Sequence, residues 1–333
     1  MKVIKQEVLD CTSNMMPQLY GYVANFSKDD QFRRNMQLIE TYGRICYRTG
    51  DRQTDDSYIK FLDARKSTAP AHTSFFEHVP FYLNVENGTR SIVTNYDLYD
   101  KCFELFVNGR ECHSKFNLFN DTLCISTNYR VLYENDFTDD EIIQILTPFN
   151  PTLHEARATW HIMASRVIEN ELERHRVASY TQESTRYCNY SLSKFDDGQI
   201  KFIATENHDG DELFGEWHLG ELESDQRYKN LSQKGKIYID NWCRCEDNYN
   251  TLVALGEKPE DARRTLSLDL ASELYMSMWK SDFMGNFCTL RLDGHAHHEV
   301  RELANQMGML AIGLGNKNCY NYEYDNRTED EGC

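Results

Sequence analysis

The sequence has little positive charge and no long apolar run, and these two absences exclude several classes of protein. Lysine and arginine number 36 against 53 acidic residues, a formal charge of −17. Nonspecific binding of nucleic acid needs a broad basic surface, so no nucleic-acid partner is expected. No apolar run is long enough to span a bilayer, and Glu7 and Asp10 precede any secretory h-region. We therefore predict a cytoplasmic protein without a membrane partner.

Cysteine pairs at metal-ligand spacing are also missing, although the chain has 11 cysteines. The one close pair, Cys243 and Cys245, has no second pair at zinc spacing. The others lie mostly singly in apolar stretches, as Cys124 and Cys288 do. We predict reduced, mostly buried thiols and no metal site. No Gly-x-Gly-x-x-Gly follows a predicted strand, so a separate dinucleotide-binding motif is not expected.

Four segments have the pattern of helices. Apolar residues recur every three to four positions over 32–47, 153–173 and 298–314, which indicates amphipathic helices. Pro259 predicts the start of a fourth helix, because proline is favoured in a first turn and acidic residues follow it.

Strands and loops are predicted between them. Residues 81–86 alternate between apolar and polar side chains and precede Asn-Gly, which predicts a half-buried strand and a tight turn. Residues 187–194 and 199–204 are predicted as two strands joined around Asp-Asp-Gly. The acidic stretch 207–225 is predicted as a surface loop, and the charged tail 325–333 as frayed.

The strongest candidate site is the basic segment that begins Arg174-His175-Arg176 and continues to Ser184 and Arg186. Arginine forks bind phosphate in a bidentate manner, and the hydroxyls and amides around them can bind the remaining oxygens. For an Arg-His-Arg triplet alone, a solvated basic face is the ordinary interpretation. Here the polar pattern extends over a dozen residues, which favours an anion site.

Three other segments have complementary chemistry: Glu77-His78, Glu260-Asp-Ala-Arg263 and Asn286-Phe-Cys-Thr-Leu-Arg291. Together with Arg-His-Arg, seven residues and Ser184, they resemble the flavin-dependent thymidylate synthases. The resemblance implies an α+β fold over residues 1–333, with a central, mostly antiparallel sheet flanked by helices. It also implies a homotetramer with FAD at the subunit junctions. Residues 88–152 are an inserted elaboration that the compact family members lack.

The same resemblance implies a reaction. The 5-carbon of dUMP is methylated with methylenetetrahydrofolate as carbon donor, FAD as hydride carrier and NADPH as reductant. A fixed guanidinium stabilises negative charge on the pyrimidine, a role that matches Arg291. We expect no covalent enzyme nucleophile, because neither Ser184 nor Cys188 has an evident base partner. Ser184 then orients the nucleotide, and His78 lies near the flavin and folate.

The remaining roles are carried over residue by residue. The residues matched to dUMP are Glu171, Arg174, Gln182, Ser184, Thr185, Arg186, Arg263 and Arg291. Those matched to FAD are Arg174, His175, Arg176, Gln182 and Asn286. The sites straddle subunits, so these residues would come from different chains.

One segment and three single positions depart from the family pattern. Residues 165–171 read Ser-Arg-Val-Ile-Glu-Asn-Glu, where family members often carry Asp-Arg-Gly-Val-Ser-His-Glu. Lys280 and Asp282 stand where asparagine and arginine are usual, and Ser267 stands where proline is expected. Two alternatives therefore stay open. One is a related flavoenzyme that acts on another pyrimidine nucleotide or stops at hydroxymethylation. The other is a non-catalytic nucleotide-binding paralogue.

Overall fold

Helices and antiparallel strands alternate along the chain without the regular β-α-β repeat of a parallel sheet. The computed structural model of the protein describes residues 1–15, 27–68, 72–109, 113–192, 198–204 and 210–312. The strands are β1 Lys2–Ile4, β2 Glu7–Ser13, β3 Pro80–Glu86, β4 Lys115–Phe119, β5 Thr122–Asn128, β6 Arg157–Ser165, β7 Ser179–Gln182, β8 Lys201–Ile203, β9 Gly215–Glu216 and β10 Ala271–Trp279. The predicted tail at 325–333 lies outside the described residues.

Most helices are short. The α-helices are α1 Lys28–Arg44, α2 Ser57–Lys66, α3 Leu98–Phe103, α4 Tyr129–Glu134, α5 Asp139–Ile145, α6 Arg166–Leu172, α7 Gln226–Asn230, α8 Gln233–Ala254, α9 Pro259–Ala262, α10 Lys280–Asp282, α11 Cys288–Arg291 and α12 His298–Ile312. The 3-10 turns are Ile45–Tyr47, Gly50–Arg52, Ser74–Glu77, Leu219–Glu221 and Arg263–Thr265, and the π-helical turns are Glu104–Asn108 and Phe283–Phe287.

The strands form three sheets among the described residues. A four-stranded antiparallel sheet has the order β2-β6-β10-β7, a second antiparallel sheet has the order β3-β5-β4, and a small mixed sheet has the order β8-β1-β9. The predicted α+β class with mostly antiparallel pairing is confirmed. The β-structure is divided among three sheets, and the four-stranded sheet carries the basic segment on its outer strand β7.

Three predicted elements are confirmed. Helix α1 has its apolar face on Phe32, Met36 and Ile39, and the Ser27 side chain caps it by accepting from Asp30 N at 3.1 Å. Strand β3 forms over the predicted range, but Tyr82 is buried as well as Phe81 and Leu83, so the strand is more than half buried. Helix α12 buries Val300 and its apolar face on β2 and β6, where the Trp160 indole donates to its backbone. The Pro259 helix also forms but is one turn long.

The helix predicted over 153–173 is wrong. Residues 157–165 form β6, and only 166–172 are helical. Strand β6 lies between β2 and β10 and is buried on both faces, so its apolar residues form a continuous run. Such a run fits a period of three to four as well as it fits a strand, which is why the spacing misled the prediction.

The predicted strand at 187–194 is also wrong over its described part. Residues 187–192 form turns, in which Cys188 N donates to Ser184 O at 3.0 Å and Leu192 N donates to Asn189 O at 3.1 Å. The strand predicted at 199–204 forms as β8, but its partner is β1, in parallel register. The described part of the predicted 207–225 loop contains β9 and the 3-10 turn at 219–221.

The 88–152 elaboration is part of a shared hydrophobic core. Its strand β5 pairs along the whole of β3, and its residues Phe106, Leu123 and Ile142 are buried in one cluster with Met36 and Ile39 of α1. These side chains lose their contact with water together, at roughly 1.5–3 kcal/mol for each large apolar residue. The elaboration therefore stabilises the same layer as α1 and β3.

Candidate functional site

The basic segment enters the site between two elements that fix its ends. Helix α6 ends at Leu172, and the chain then turns through Arg174 and Arg176 into β7. Strand β7 pairs with β10, Leu274 opposite Gln182. The segment is therefore fixed to the four-stranded sheet. Polar residues gather in two groups, one around residues 171–176, which precede β7, and one around residues 183–186, which follow it.

In the group around residues 171–176, which precede β7, the central residue is Arg291 from the end of α11. Its guanidinium donates from Nε to His175 Nε2 at 2.7 Å and from NH2 to the Glu171 backbone oxygen at 2.9 Å, and NH1 lies 3.3 Å from the Glu171 carboxylate. His175 Nδ1 lies 3.3 Å from Asn286 Oδ1. The structure thus brings together Glu171 and His175 from one segment with Asn286 and Arg291 from another.

These contacts fix the tautomer of His175. A guanidinium can only donate, so His175 Nε2 accepts and the ring proton is on Nδ1, directed at Asn286. Burial, together with the charges of Arg291 and Arg174, lowers the pKa of His175. The imidazole is therefore neutral near pH 7, and its lone pair orients the guanidinium of Arg291.

A cavity of about 970 Å³ lies beside this group. Three arginines and one aspartate contribute to its wall, which favours an anionic occupant. Arg174 and Arg176 are exposed at the cavity, whereas His175 between them is buried. The lining residues are Arg174, His175, Arg176, Val177, Asn286, Thr289, Leu290, Arg291, Asp293, His295 and Ala296.

The group after β7 is centred on Arg263. Its NH1 donates to Thr185 Oγ1 at 2.7 Å, and its Nε donates to Glu260 O at 3.0 Å. Arg186 Nε lies 3.6 Å from the Glu260 carboxylate and is exposed. Arg263, Thr185 and Arg186, all matched to dUMP by the sequence, therefore lie in one cluster with Glu260. The four residues of β7 lie between this cluster and the Arg291 group.

Ser184 begins the turn that leads to the Arg263 cluster. Its backbone N donates to Cys46 O at 3.1 Å, and its Oγ accepts from Arg186 N at 3.3 Å. The side chain of Glu183 points away from it and is buried against Tyr190, whose hydroxyl donates to it at 2.7 Å. Neither Glu183 nor His175 is therefore placed as a base for this hydroxyl.

Gln182 lies between the two groups, and a residue that the sequence analysis missed holds it. Arg166 donates to the Gln182 side-chain carbonyl and to Glu183 O at 2.8 Å, and it pairs with Glu169 at 2.9 Å. The Gln182 amide also donates to Glu173. Burial raises the pKa of Glu169 to about 8 despite the nearby Arg166. The only sequence signal was a charged pair inside the otherwise apolar start of α6.

His78 lies in the interior of the protein. It is fully buried, with Nδ1 2.6 Å from Ser277 Oγ and Nε2 2.8 Å from Thr181 Oγ1. The Tyr42 ring packs against it at 5.4 Å. Burial, with a smaller effect of Arg157, lowers its pKa to about 3. This geometry gives no support to the catalytic role predicted for His78, and it makes His78 a hydrogen-bonded interior residue.

We expect His78→Ala to lower the free energy of unfolding by about 3 kcal/mol, because it opens a cavity and removes two buried hydrogen bonds. The folded variant should keep most of its ligand affinity. The folded-state pKa of His78 lies below the ordinary histidine value of 6.5, so its contribution to stability is complete above pH 6.5 and is lost as pH falls through about 3. Urea unfolding measures this, with exposed His72→Ala as the control. A stable variant without turnover would contradict the structural role.

The described residues contain neither a helix that could cross a bilayer nor a cluster of metal-ligating side chains. No helix among them is both long and apolar enough to cross a bilayer. No group of three or more His, Cys, Asp and Glu side chains within the described ranges could hold a metal ion. The eight described cysteines are free thiols, and six of them are buried.

Known proteins resemble this chain over the part that carries the site. The sequence profile of the family described as "Thymidylate synthase complementing protein" matches residues 142–312. A flavin-dependent thymidylate synthase of Saccharolobus solfataricus is 31% identical over 181 residues, which is 53% of this chain and 59% of that protein. One of Haloarcula marismortui is 26% identical over 181 residues, 53% of this chain and 71% of that protein. The match with the Saccharolobus protein thus covers less than two thirds of its length.

Among solved structures, the chain is similar to a UMP/dUMP methylase of Streptomyces cacaoi bound with 5-Br UMP. The similarity has a TM-score of 0.33 at 23% identity and covers 46% of this chain and 68% of that one.

Proposed function

Because the chain belongs to the thymidylate synthase complementing protein family, which includes the flavin-dependent thymidylate synthases, we propose that it methylates dUMP to dTMP. One observation carries the proposal. Glu171 and His175 meet Asn286 and Arg291, which lie more than 100 positions later in the sequence, at the wall of an arginine-lined cavity. This arrangement suits the binding of anionic ligands beside a fixed guanidinium.

The cavity fits FAD in charge and in size. Its wall offers Arg174 and Arg176 for phosphate, and its volume of about 970 Å³ is within the range of large ligand sites. Asn286 and His175 would hold the cofactor on the side of α11. When bound, FAD supplies the hydride, and we propose NADPH as its reductant and methylenetetrahydrofolate as the carbon donor.

The Arg263 cluster would hold the phosphate of dUMP. Arg263 and Arg186 provide two guanidinium groups, and Thr185 and Ser184 provide hydroxyls beside them. In the described chain Arg263 donates to Thr185 and the carboxylate of Glu260 faces Arg186. A phosphate would displace the neutral Thr185 hydroxyl from Arg263, because charge-assisted hydrogen bonds are about twice as strong as neutral ones. It would also compete with the Glu260 carboxylate, which lies 3.6 Å from Arg186 in a largely exposed pair.

Arg291 would act on the pyrimidine. Its position is fixed by the Glu171 backbone oxygen and by the lone pair of His175, so it needs no rearrangement when negative charge develops. The Glu171 carboxylate and Gln182 would contact the nucleotide from α6 and β7. Ser184 would donate a hydrogen bond that orients dUMP, and no covalent bond to the enzyme would form, since no base is placed beside its hydroxyl.

The two groups lie on either side of β7, which suggests that one catalytic site takes Arg291 from one chain and Arg263 from another. We therefore propose a homotetramer with shared sites. Light scattering of the FAD-loaded protein should give four times the mass of one 39.1 kDa chain. A FAD-saturated monomer that turns over would contradict the shared site.

Product analysis tests the proposed reaction. The protein is incubated with dUMP, methylenetetrahydrofolate, NADPH and FAD, and the nucleotides are separated by chromatography with mass detection. We expect dTMP, and dCMP in place of dUMP should remain unchanged. A hydroxymethylated product, a modified dCMP, or no product from any nucleotide would contradict the proposal and favour one of the two alternatives.

A further inference from the structure

The segment that carries Asn286 and Arg291 is continuous from residue 280 to residue 291. It begins with α10, passes through the π-helical turn Phe283–Phe287 and ends with α11. Phe287 packs against the ring of His175, with ring centroids 4.8 Å apart. A shift or rotation of this segment would therefore move Asn286, Arg291 and His175 relative to one another.

Contacts from two directions hold the start of this segment. From the approach to β6, Ala156 O accepts from Lys280 N at 2.8 Å, and the Glu155 carboxylate accepts from Ser281 N at 2.7 Å. From the elaboration, Lys115 Nζ lies 3.2 Å from an Asp282 carboxylate oxygen. The adjacent Trp279 indole donates to the backbone oxygen of His113 at 3.3 Å.

Lys115 differs from the rest of its strand. It is the first residue of β4, an outer strand of its sheet in the described chain, and the next apolar side chains, Phe116, Leu118 and Phe119, are about half exposed. Lys115 itself is about one-third exposed and Asp282 about one-fifth, so the pair is partly shielded from water. Shielding strengthens such a pair relative to a fully exposed one.

We propose that Lys115 is a positioning residue for the flavin cavity. Through Asp282 it fixes the start of the segment that presents Asn286 and Arg291. The pair also neutralises a carboxylate that stands four residues before Asn286, on the segment that faces an anionic ligand. This ion pair thus links the elaboration to the site. The ligand part of this proposal rests on the proposed function, whereas the positioning part does not.

The test compares Lys115→Met, Asp282→Asn and the swapped pair Lys115→Asp/Asp282→Lys with the unaltered protein. The first readout is hydrogen exchange over 280–291 in the protein without FAD, followed by mass spectrometry. Both single variants should exchange about threefold faster or more over this segment, and the swapped pair should restore protection. The second readout is FAD affinity, which should fall about five- to tenfold in Lys115→Met and recover in the swapped pair.

Arg33→Met is the matched control, because it breaks an exposed ion pair with Asp56, 3.3 Å long, on a different surface. It should change neither readout. Unchanged exchange and unchanged FAD affinity in both single variants, or a swapped pair as defective as they are, would overturn the proposal. If exchange responds as expected but the unaltered protein binds no FAD, the positioning role stands and the proposed function fails.

Discussion

Arg291→Ala should lower the turnover of dUMP about 10²- to 10³-fold, the usual cost of removing one fixed group that stabilises charge in a transition state. The guanidinium is held by His175 at 2.7 Å and by Glu171 O at 2.9 Å, so its position is set before any ligand binds. Because its charge matters most when the ring becomes negative, kcat should fall more than dUMP affinity.

Single-turnover and steady-state rates measure this effect. Ser184→Ala is the comparison variant, and it should be impaired but clearly active, because its hydroxyl only orients the nucleotide. Arg291→Lys keeps the positive charge but loses the forked guanidinium, so its turnover should lie between those of the two alanine variants. Enzyme quenched during turnover should show no protein–nucleotide adduct by mass spectrometry. Arg291→Ala with more than about a tenth of normal turnover, or an adduct on Ser184, would contradict the assigned roles.

Arg263→Ala should weaken dUMP binding by about 1.5–3 kcal/mol, or roughly 10- to 150-fold in Kd, because it removes a charge-assisted phosphate contact. FAD affinity should change much less, since Arg263 belongs to the cluster after β7 and contacts Thr185. Arg186→Ala should act in the same direction. Titration with dUMP while flavin absorbance is followed gives both affinities.

The adjacent Arg264 is the matched control. It has the same chemistry, but its side chain is 81% exposed and pairs only weakly with Asp261 at 3.5 Å. Arg264→Ala should leave dUMP affinity unchanged. Equal losses of dUMP affinity in Arg263→Ala and Arg264→Ala would show a general effect of surface charge. Unchanged dUMP affinity in Arg263→Ala would remove Arg263 from the phosphate site.

The helices that the sequence predicted well have one buried and one solvated face. In α1, Met36 and Ile39 mark the buried stripe, and in α12 the same is true of Val300 and Leu303. Strand β6 has no solvated face, so its sequence carries no alternation that could separate a strand from a helix. Its identity depends on pairing with β2 and β10, which are distant in the chain.

In the candidate site, the residues within motifs could be identified from the sequence, whereas the residues that support them could not. The motifs identified candidate residues, and the structure shows contacts of Arg291 with His175 and of Arg263 with Thr185 among them. The supporting residues could not be predicted. Lys115 meets Asp282 across 167 positions, and a single lysine at the start of a mostly apolar strand carries no signal of its partner. The burial of His78 likewise depends on Ser277 and Thr181, which other strands supply.

The visible absorption spectrum of the FAD-loaded protein, recorded before and after dUMP is added, tests the central claim most directly. The claim is that one site brings a flavin and dUMP together beside Arg291. We predict a protein-bound flavin band in the blue that shifts when dUMP binds, and a much smaller shift at the same dUMP concentration in Arg263→Ala. A protein that stays colourless after incubation with FAD, or a flavin band that dUMP leaves unchanged, would contradict the account.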